Sequence, residues 1–238
     1  PFIDLLHCHC SMCRKHHGAA FATWAVAPAS GFRWSSDTAA LAKYQSSERG
    51  HRAFCRLCGS VAPMIDEASG LVIAPAGNLE GDLGLKPTRH MFAGSRAPWY
   101  SITDDLPQHD EFPPEFGMPS TPRPAVELKP GVTQGSCLCG DVAYEISTPP
   151  LRMFYCHCSR CRQGRSAAQC ANVSHKAEGF RWLRGAEQVQ DFALPGAQFF
   201  GTAFCRHCGS KLPRVSVERN FATVPAGSCS IWSLSPET

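Results

Sequence analysis

Closely spaced cysteines are the residues of this chain best suited to do chemistry. Twelve of its 14 cysteines fall in C-x-C or C-x-x-C groups. Cysteines this close rarely form disulfides with one another, but a turn of the chain can bring their thiolates to one tetrahedral ion, with zinc–sulfur bonds of about 2.3 Å. We therefore expect Zn²⁺ as the cofactor. Because zinc needs free thiolates, we also expect a reducing, cytoplasmic location.

The cysteine groups occur twice in the same order, together with their neighbours. HCHCSMCR at residues 7–14 recurs as YCHCSRCR at 155–162, FCRLCGS at 54–60 as FCRHCGS at 204–210, and GFRW and PAG each recur as well. This order predicts a tandem duplication. Proline-rich residues 113–130 read as a linker between a first domain, 1–112, and a second, 131–238. We expect the two halves to pack as an intrachain pseudo-dimer.

One group of cysteines in the second half has the composition of a closed metal site. A C-x-C pair and a distant C-x-x-C pair supply four thiolates, which leave no open coordination position, so the site should be structural. This four-thiol cluster consists of Cys137, Cys139, Cys205 and Cys208. The first half contains only the matching half-site, Cys55 and Cys58. We expect its missing C-x-C either to lie upstream of Pro1 or to be lost, and the second domain to be short at its C-terminal end.

A second group, C-x-C-x-x-C, supplies only three cysteines. Three protein ligands leave a fourth position for water, a substrate thiol or another residue, which is typical of a catalytic zinc. A purely structural site is the alternative. The first trio is Cys8, Cys10 and Cys13, and the second trio is Cys156, Cys158 and Cys161. We expect His9 and His157, which lie between ligands, to orient the site rather than bind the metal.

The residues after the first trio differ from those after the second. His16 and His17 follow Arg14 and Lys15 there, and both histidines are missing from the second half. We predict His16 and His17 as catalytic residues, with solvated loop residues as the alternative. The basic residues could attract an anionic thiol.

The remaining patterns indicate secondary structure and exclude some functions. Frequent glycine and proline favour short strands, which we place at 21–27, 60–65, 70–74, 168–173, 211–217 and 220–224, with helical turns at 11–17 and 159–165. We expect the GFRW repeats to be strands with Trp34 and Trp182 buried, and Cys170 and Cys229 to be ordinary buried thiols. A net charge of +3 and the lack of a run of 18 apolar residues speak against nucleic-acid and membrane partners.

Three motifs together, GSCLCG, CHC-x-x-CR and FC-x-x-CGS, resemble the glutathione-dependent formaldehyde-activating enzyme family, which includes centromere protein V. The resemblance implies a mainly β fold, with two zinc-binding β-tent domains of antiparallel strands in tandem. It assigns the four-thiol cluster to a structural zinc, the trios to a catalytic one, and the half-site to part of a structural one.

The same resemblance implies an activity, a carbon–sulfur lyase that condenses glutathione with formaldehyde to S-(hydroxymethyl)glutathione. A thiol entering the open zinc position would lose its proton and attack the aldehyde carbon. The alternative is a non-catalytic zinc-binding module for a protein or nucleic-acid partner.

Overall fold

The computed structural model describes residues 1–48, 50–119 and 131–229. The fold is mainly β, built from several small sheets in two related halves, as the sequence predicts. Nearly all strand pairs are antiparallel. The exceptions in the described residues are the short parallel pairs β1–β8 and β8–β9 of the first half.

Over its described residues, the first half contains one α-helix and two sheets. A six-stranded sheet has the order β6-β7-β2-β1-β8-β9, and a three-stranded sheet has the order β3-β4-β5. The helix α1 spans Ser11–His17, and the strands are β1 (Asp4–Cys8), β2 (Ala22–Pro28), β3 (Leu41–Gln45), β4 (His51–Cys55), β5 (Val61–Ala62), β6 (Met64–Asp66), β7 (Leu71–Pro75), β8 (His90–Met91) and β9 (Gln108–His109). The apolar core of this half lies around Leu6, Trp24 and Met91.

Between residues 131 and 229, the part of the second half that the structure describes, there are one α-helix and three sheets, in the orders β10-β11-β14, β12-β13-β19-β18 and β15-β16-β17. The helix α2 spans Ser159–Arg165, and the strands are β10 (Thr133–Ser136), β11 (Ala143–Ile146), β12 (Arg152–Cys156), β13 (Cys170–His175), β14 (Phe180–Arg184), β15 (Val189–Ala193), β16 (Gly201–Cys205), β17 (Lys211–Leu212), β18 (Arg214–Ser216) and β19 (Phe221–Pro225). Val142, Tyr144 and Ile146 form the centre of its core.

Both predicted helical turns have the predicted bounds, and the predicted strands differ from the observed ones by one or two residues at their ends. The strands at 60–65 and 211–217 are each divided in two, at Pro63 and Pro213. Proline has no backbone N–H to donate to a ladder, so the chain changes sheets at that residue. The same division in both halves supports the duplication.

The prediction that both GFRW segments are strands with buried tryptophans is wrong for the first half. Phe180–Arg184 forms β14 because β11 pairs with it. Within the described residues no strand pairs with 31–34, and Trp34 is 40% exposed. Trp182 is half-buried.

Residues 113–119 of the predicted linker belong to the described part of the chain. Residues 120–130 lie outside the described residues. The beginning of the proposed linker is ordered: Pro114–Phe116 forms a short 3-10 turn, and Phe116 packs on the first-half core. The boundaries 1–112 and 131–238 stay a prediction.

The two halves pack closely against each other through equivalent elements. Helix α1 contacts the 3-10 turn Ala226–Ser228 of the second half, and α2 contacts the turn Ala76–Asn78 of the first. Across the boundary, the backbone N–H of Val61 donates to Ser166 Oγ at 2.8 Å. The repeated Pro-Ala-Gly motifs are thus the turns on which the opposite helices lie.

None of the helices in the described ranges has the length and hydrophobicity required to cross a membrane.

Candidate metal centres

The four-thiol cluster forms where the turn after β10 meets the turn after β16. Its four sulfur atoms lie within 4.8 Å of one another and can hold a metal ion. Cys137 Sγ is 3.3 Å from Cys139 Sγ, and Cys139 Sγ is 3.7 Å from Cys205 Sγ. The backbone N–H of Val142 points to Cys137 Sγ at 3.3 Å. The predicted pairing of C-x-C with the distant C-x-x-C therefore agrees with the geometry.

Electrostatics in this cluster favour at least one thiolate even without an ion. Hydrogen bonds from Cys137, Cys139 and Cys205 hold the pKa of Cys208 well below its ordinary value. A cation at the centre would replace the shared protons and stabilise every sulfur as a thiolate.

The first trio is assembled by the end of β1 and the start of α1. Cys8 ends the strand, Cys10 is the N-cap of the helix, and Cys13 lies in its first turn. The Cys10 sulfur accepts the backbone N–H of Cys13 at 3.4 Å, which fixes the turn. All three thiols are buried and lie within 4.8 Å of one another, so they can hold a metal ion.

A buried arginine lies against this trio. Arg52, from β4, directs two guanidinium nitrogens to Cys13 Sγ, at 3.7 and 3.8 Å. Burial alone would lower the pKa of Arg52, but the thiolates of Cys13 and Cys10 raise it above its ordinary value. Conversely, hydrogen bonds from Cys10 and Cys8, reinforced by Arg52, hold the pKa of Cys13 well below its usual range. The position equivalent to Arg52 in the second half is Thr202.

A chain of hydrogen bonds runs from His9, between two cysteines of the trio, to the surface. His90 Nε2 donates to the Asp104 carboxylate at 3.0 Å, so His90 Nδ1 accepts from His9 Nε2 at 2.8 Å. The other ring nitrogen of His9, Nδ1, then carries a lone pair, and it is buried without a hydrogen-bond partner among the described residues. Burial lowers the pKa of His9 to about 3, so its ring is neutral.

His16 and His17 are both fully buried, so the alternative of solvated loop residues is wrong. The Nδ1–H of His17 donates to the Arg165 carbonyl of the other half at 2.9 Å, and burial lowers the pKa of His17 to about 4. Neither ring nitrogen of His16 has a partner in the described part of the chain. His17 is close enough to Cys13 to influence its pKa.

The second trio has the same backbone arrangement but a more exposed setting. Cys158 caps α2 and accepts the N–H of Cys161 at 3.4 Å. The three sulfur atoms lie within 4.8 Å of one another and can hold a metal ion, although Cys158 itself is exposed. His157, expected to orient this site, has no hydrogen bond in the described residues that resembles the one of His9. The two trios are therefore not equivalent.

The half-site in the first half, Cys55 and Cys58, has no third cysteine, histidine or carboxylate near enough to complete a metal cluster among the described residues. Cys58 Sγ donates to Ser60 Oγ at 3.4 Å, and its carbonyl accepts from Thr202 at 2.9 Å. Ser60 occupies the position that Ser210 has beside the four-thiol cluster.

Thiolate sulfur is the donor type that zinc prefers, and both kinds of cluster fit such an ion. Sequence reasoning found all the clustered cysteines because their spacing is local. It missed Arg52, His90 and Asp104, whose contribution depends on strand pairing rather than on a motif.

Comparisons with known proteins place the chain. A crystal structure of a Rhodobacter sphaeroides protein, a structural genomics target, is 24% identical, with a TM-score of 0.31 over 43% of this chain and 91% of that one. No curated protein matches the chain. The family described as glutathione-dependent formaldehyde-activating enzyme matches residues 1–95 and, again, 132–237. The chain therefore belongs to the glutathione-dependent formaldehyde-activating enzyme family, as two tandem copies, and this relates it broadly to glutathione and formaldehyde chemistry.

Proposed function

We propose that the protein is a zinc-dependent carbon–sulfur lyase that joins the thiol of glutathione to formaldehyde or another small aldehyde at the first trio. The observation that carries the proposal is the pairing of three buried thiols with a buried guanidinium, Arg52, beside Cys13. A closed structural site needs a fourth protein ligand. The side chain that lies beside Cys13 here is a cation, which cannot bind a metal ion.

Charge explains why a thiol should bind there. A zinc ion with three thiolates carries a net charge of about −1, and a fourth thiolate makes it about −2. Arg52 offsets one of these charges in a buried setting, where a neighbouring charge has a large effect. Zinc held by the trio would supply stabilisation of the thiolate form of the incoming thiol.

The reaction needs no redox partner. The sulfur lone pair of the thiolate forms the new carbon–sulfur bond, and the carbonyl π electrons move to oxygen. The proton released by the thiol ends on that oxygen, so thiol and aldehyde give a hydroxymethyl thioether with all atoms retained.

The proton can be carried by histidines that lie around the trio. His17 is next to Cys13 and its Nε2 has no partner among the described residues, so we assign it first as proton acceptor. His16 is the second candidate. His9 has a free Nδ1 and its tautomer is held by His90, which makes it a further group able to take a proton.

The proposal can be tested by nuclear magnetic resonance with ¹³C-formaldehyde and glutathione. Since thiols add to formaldehyde without a catalyst, the measured quantity is the exchange rate between free and thiol-bound carbon above the protein-free rate. We expect wild-type protein to accelerate it, and Cys10→Ser to reduce the acceleration at least tenfold.

The matched control is Cys158→Ser, which makes the equivalent change in the second trio and should keep most of the acceleration. Equal loss in the two variants would contradict the assignment to the first trio. If the wild-type protein gave no acceleration while holding its full metal content, the alternative of a non-catalytic zinc-binding module would replace the enzyme.

A further inference from the structure

We propose that Cys170 is a fourth thiolate ligand of the second trio, so that this metal site is closed and structural. The proposal rests on the proposed function only in taking the first trio as the open counterpart. Cys170 is buried, as the sequence predicts, and the proposal adds a metal-binding role to that position.

Strand register places Cys170 at the second trio. In the antiparallel pair β12–β13, Cys156 lies directly opposite Cys170. In the equivalent pair of the first half, β1–β2, Cys8 lies opposite Ala22. Side chains of directly opposed residues in a sheet lie on the same face, about 5 Å apart at Cβ. The second trio thus has a thiol where the first has a methyl group that cannot bind metal.

Side-chain contacts agree with this placement. The thiols of Cys170 and Cys161 line the same cavity and are close enough to influence each other's pKa, so Cys170 adjoins one member of the trio and lies opposite another. The Asn172 amide donates to Cys170 Sγ at 3.1 Å. Such a donor to sulfur orients a ligand and stabilises its thiolate. In the first half the residue equivalent to Asn172 is Trp24, which has no such amide.

The charged residues around the second trio also differ from those around the first. Thr202 replaces the arginine that faces Cys13 in the first half. Arg165, half-buried and bonded to Asn172 Oδ1 at 3.1 Å, lies near both Cys170 and Cys161. A zinc ion with four thiolates has a net charge of about −2 with every position filled, and a half-buried cation beside it offsets part of that charge.

A cavity lies beside the second trio, and the residues that would surround the fourth ligand line it. It has a volume of about 180 Å³, and Cys161, Arg165, Cys170 and Asn172 line it together. The Cys170 sulfur does not lie within 4.8 Å of all three sulfurs of the trio, and the cavity that it shares with Cys161 is the space through which it would move to the metal position.

Cobalt(II) substitution tests the proposal, since cobalt takes the zinc position and its charge-transfer absorption grows with each cobalt–sulfur bond. All proteins would carry Cys55→Ser and Cys58→Ser to remove the half-site, and would be kept reduced and free of oxygen. We expect Cys170→Ala to lose absorption equal to one cobalt–sulfur bond. Titration with glutathione should then change the spectrum at two sites per chain instead of one, a twofold increase.

The converse variant, Ala22→Cys, places a thiol at the equivalent position of the first half. It keeps the proposal testable if the Cys170→Ala protein does not fold. It should add one cobalt–sulfur bond at the first trio and remove the spectral change caused by glutathione. Unchanged absorption and unchanged glutathione stoichiometry in Cys170→Ala would overturn the proposal, as would an Ala22→Cys protein that still binds glutathione at the cobalt.

These measurements contain no aldehyde, so they separate this proposal from the proposed function. A protein that lacks catalysis but shows the fourth cobalt–sulfur bond would reject the enzyme and keep the ligand assignment.

Discussion

Phe54 and Phe204 pack edge to face across the boundary between the halves, with ring centroids 6.4 Å apart and planes at 70°. They are the same residue of the two copies, and both are fully buried. A contact between equivalent residues places them at a pseudo-twofold axis, as in an isologous dimer. The contact of His17 with Arg165, which are also equivalent, lies on the same axis. The trios therefore depend on both halves for their surroundings.

Glycine in the repeated Pro-Ala-Gly turns should be essential for this packing. A Cβ at Gly77 would lie 2.2 Å from the Ala167 backbone N, and one at Gly227 would lie 2.2 Å from the Arg14 carbonyl. We expect Gly77→Ala and Gly227→Ala each to lower the free energy of unfolding by about 1–3 kcal/mol or more, measured by urea denaturation. Gly31→Ala, whose Cβ meets nothing within 4 Å, is the control. Equal stability of all three variants would contradict the close packing.

Arg52 should control affinity for the thiol rather than metal binding. Arg52→Met keeps much of the side-chain volume but removes the charge beside Cys13. Losing a charged hydrogen-bonding partner costs roughly 1.5–3 kcal/mol, so glutathione should bind at least about tenfold more weakly. Isothermal titration calorimetry measures the affinity, and metal analysis should give an unchanged metal content. Arg56→Met, at an exposed position, is the control. Unchanged affinity in Arg52→Met would reject the role of the charge.

Lys211 should give the protein a distinctive dependence of stability on pH. Burial, together with Arg165, lowers the pKa of Lys211 to about 7, while the cysteines of the half-site act in the opposite direction. Between pH 7 and the ordinary pKa near 10.5, the unfolded chain binds the proton and the folded chain does not, so the free energy of unfolding rises with pH.

The matching variant is Lys211→Met, which removes this titration and leaves the cysteines in place. We expect the difference in unfolding free energy, wild type minus variant, to increase by on the order of 1 kcal/mol per pH unit from pH 7 to 9. Below pH 7 the difference should be flat. Parallel curves over the whole range would show that folded Lys211 keeps its ordinary pKa.

Asp104 should act through His90 on the tautomer of His9. Asp104→Ala removes the acceptor of His90 Nε2–H, so the proton of the histidine pair is no longer fixed. We expect kcat to fall about tenfold, which is less than the roughly 10²–10⁴-fold typical of losing a proton-transfer group itself, with glutathione affinity unchanged. Nitrogen-15 spectra of the rings should change from one tautomer to a mixture. Asp105→Ala is the control at a neighbouring exposed position. A single His9 tautomer in Asp104→Ala would contradict the relay.

Local patterns predicted the cysteine clusters well because each cluster is built from turns whose geometry is encoded within a few residues. The two helices at 11–17 and 159–165 and the pairing of Cys137 and Cys139 with Cys205 and Cys208 follow from such patterns.

The interactions that distinguish the two trios depend on pairing between distant strands. Arg52 reaches Cys13 only because β4 packs near α1, and Cys170 meets Cys156 only through the register of β12 with β13. The repeated GFRW motif predicts a strand with a buried tryptophan in each half, but a strand needs a partner. In the second half β11 pairs with Phe180–Arg184, whereas no described strand pairs with residues 31–34, and Trp34 is exposed.

In the proposed function, the first trio holds a metal whose open position takes the thiol of glutathione. X-ray absorption at the selenium edge tests it directly, using the reduced selenol analogue of glutathione with zinc-loaded protein. We predict a zinc neighbour of selenium in the wild-type protein, and none after Ala22→Cys, which would fill the open position. Selenium with only carbon neighbours in the wild-type protein would contradict the claim.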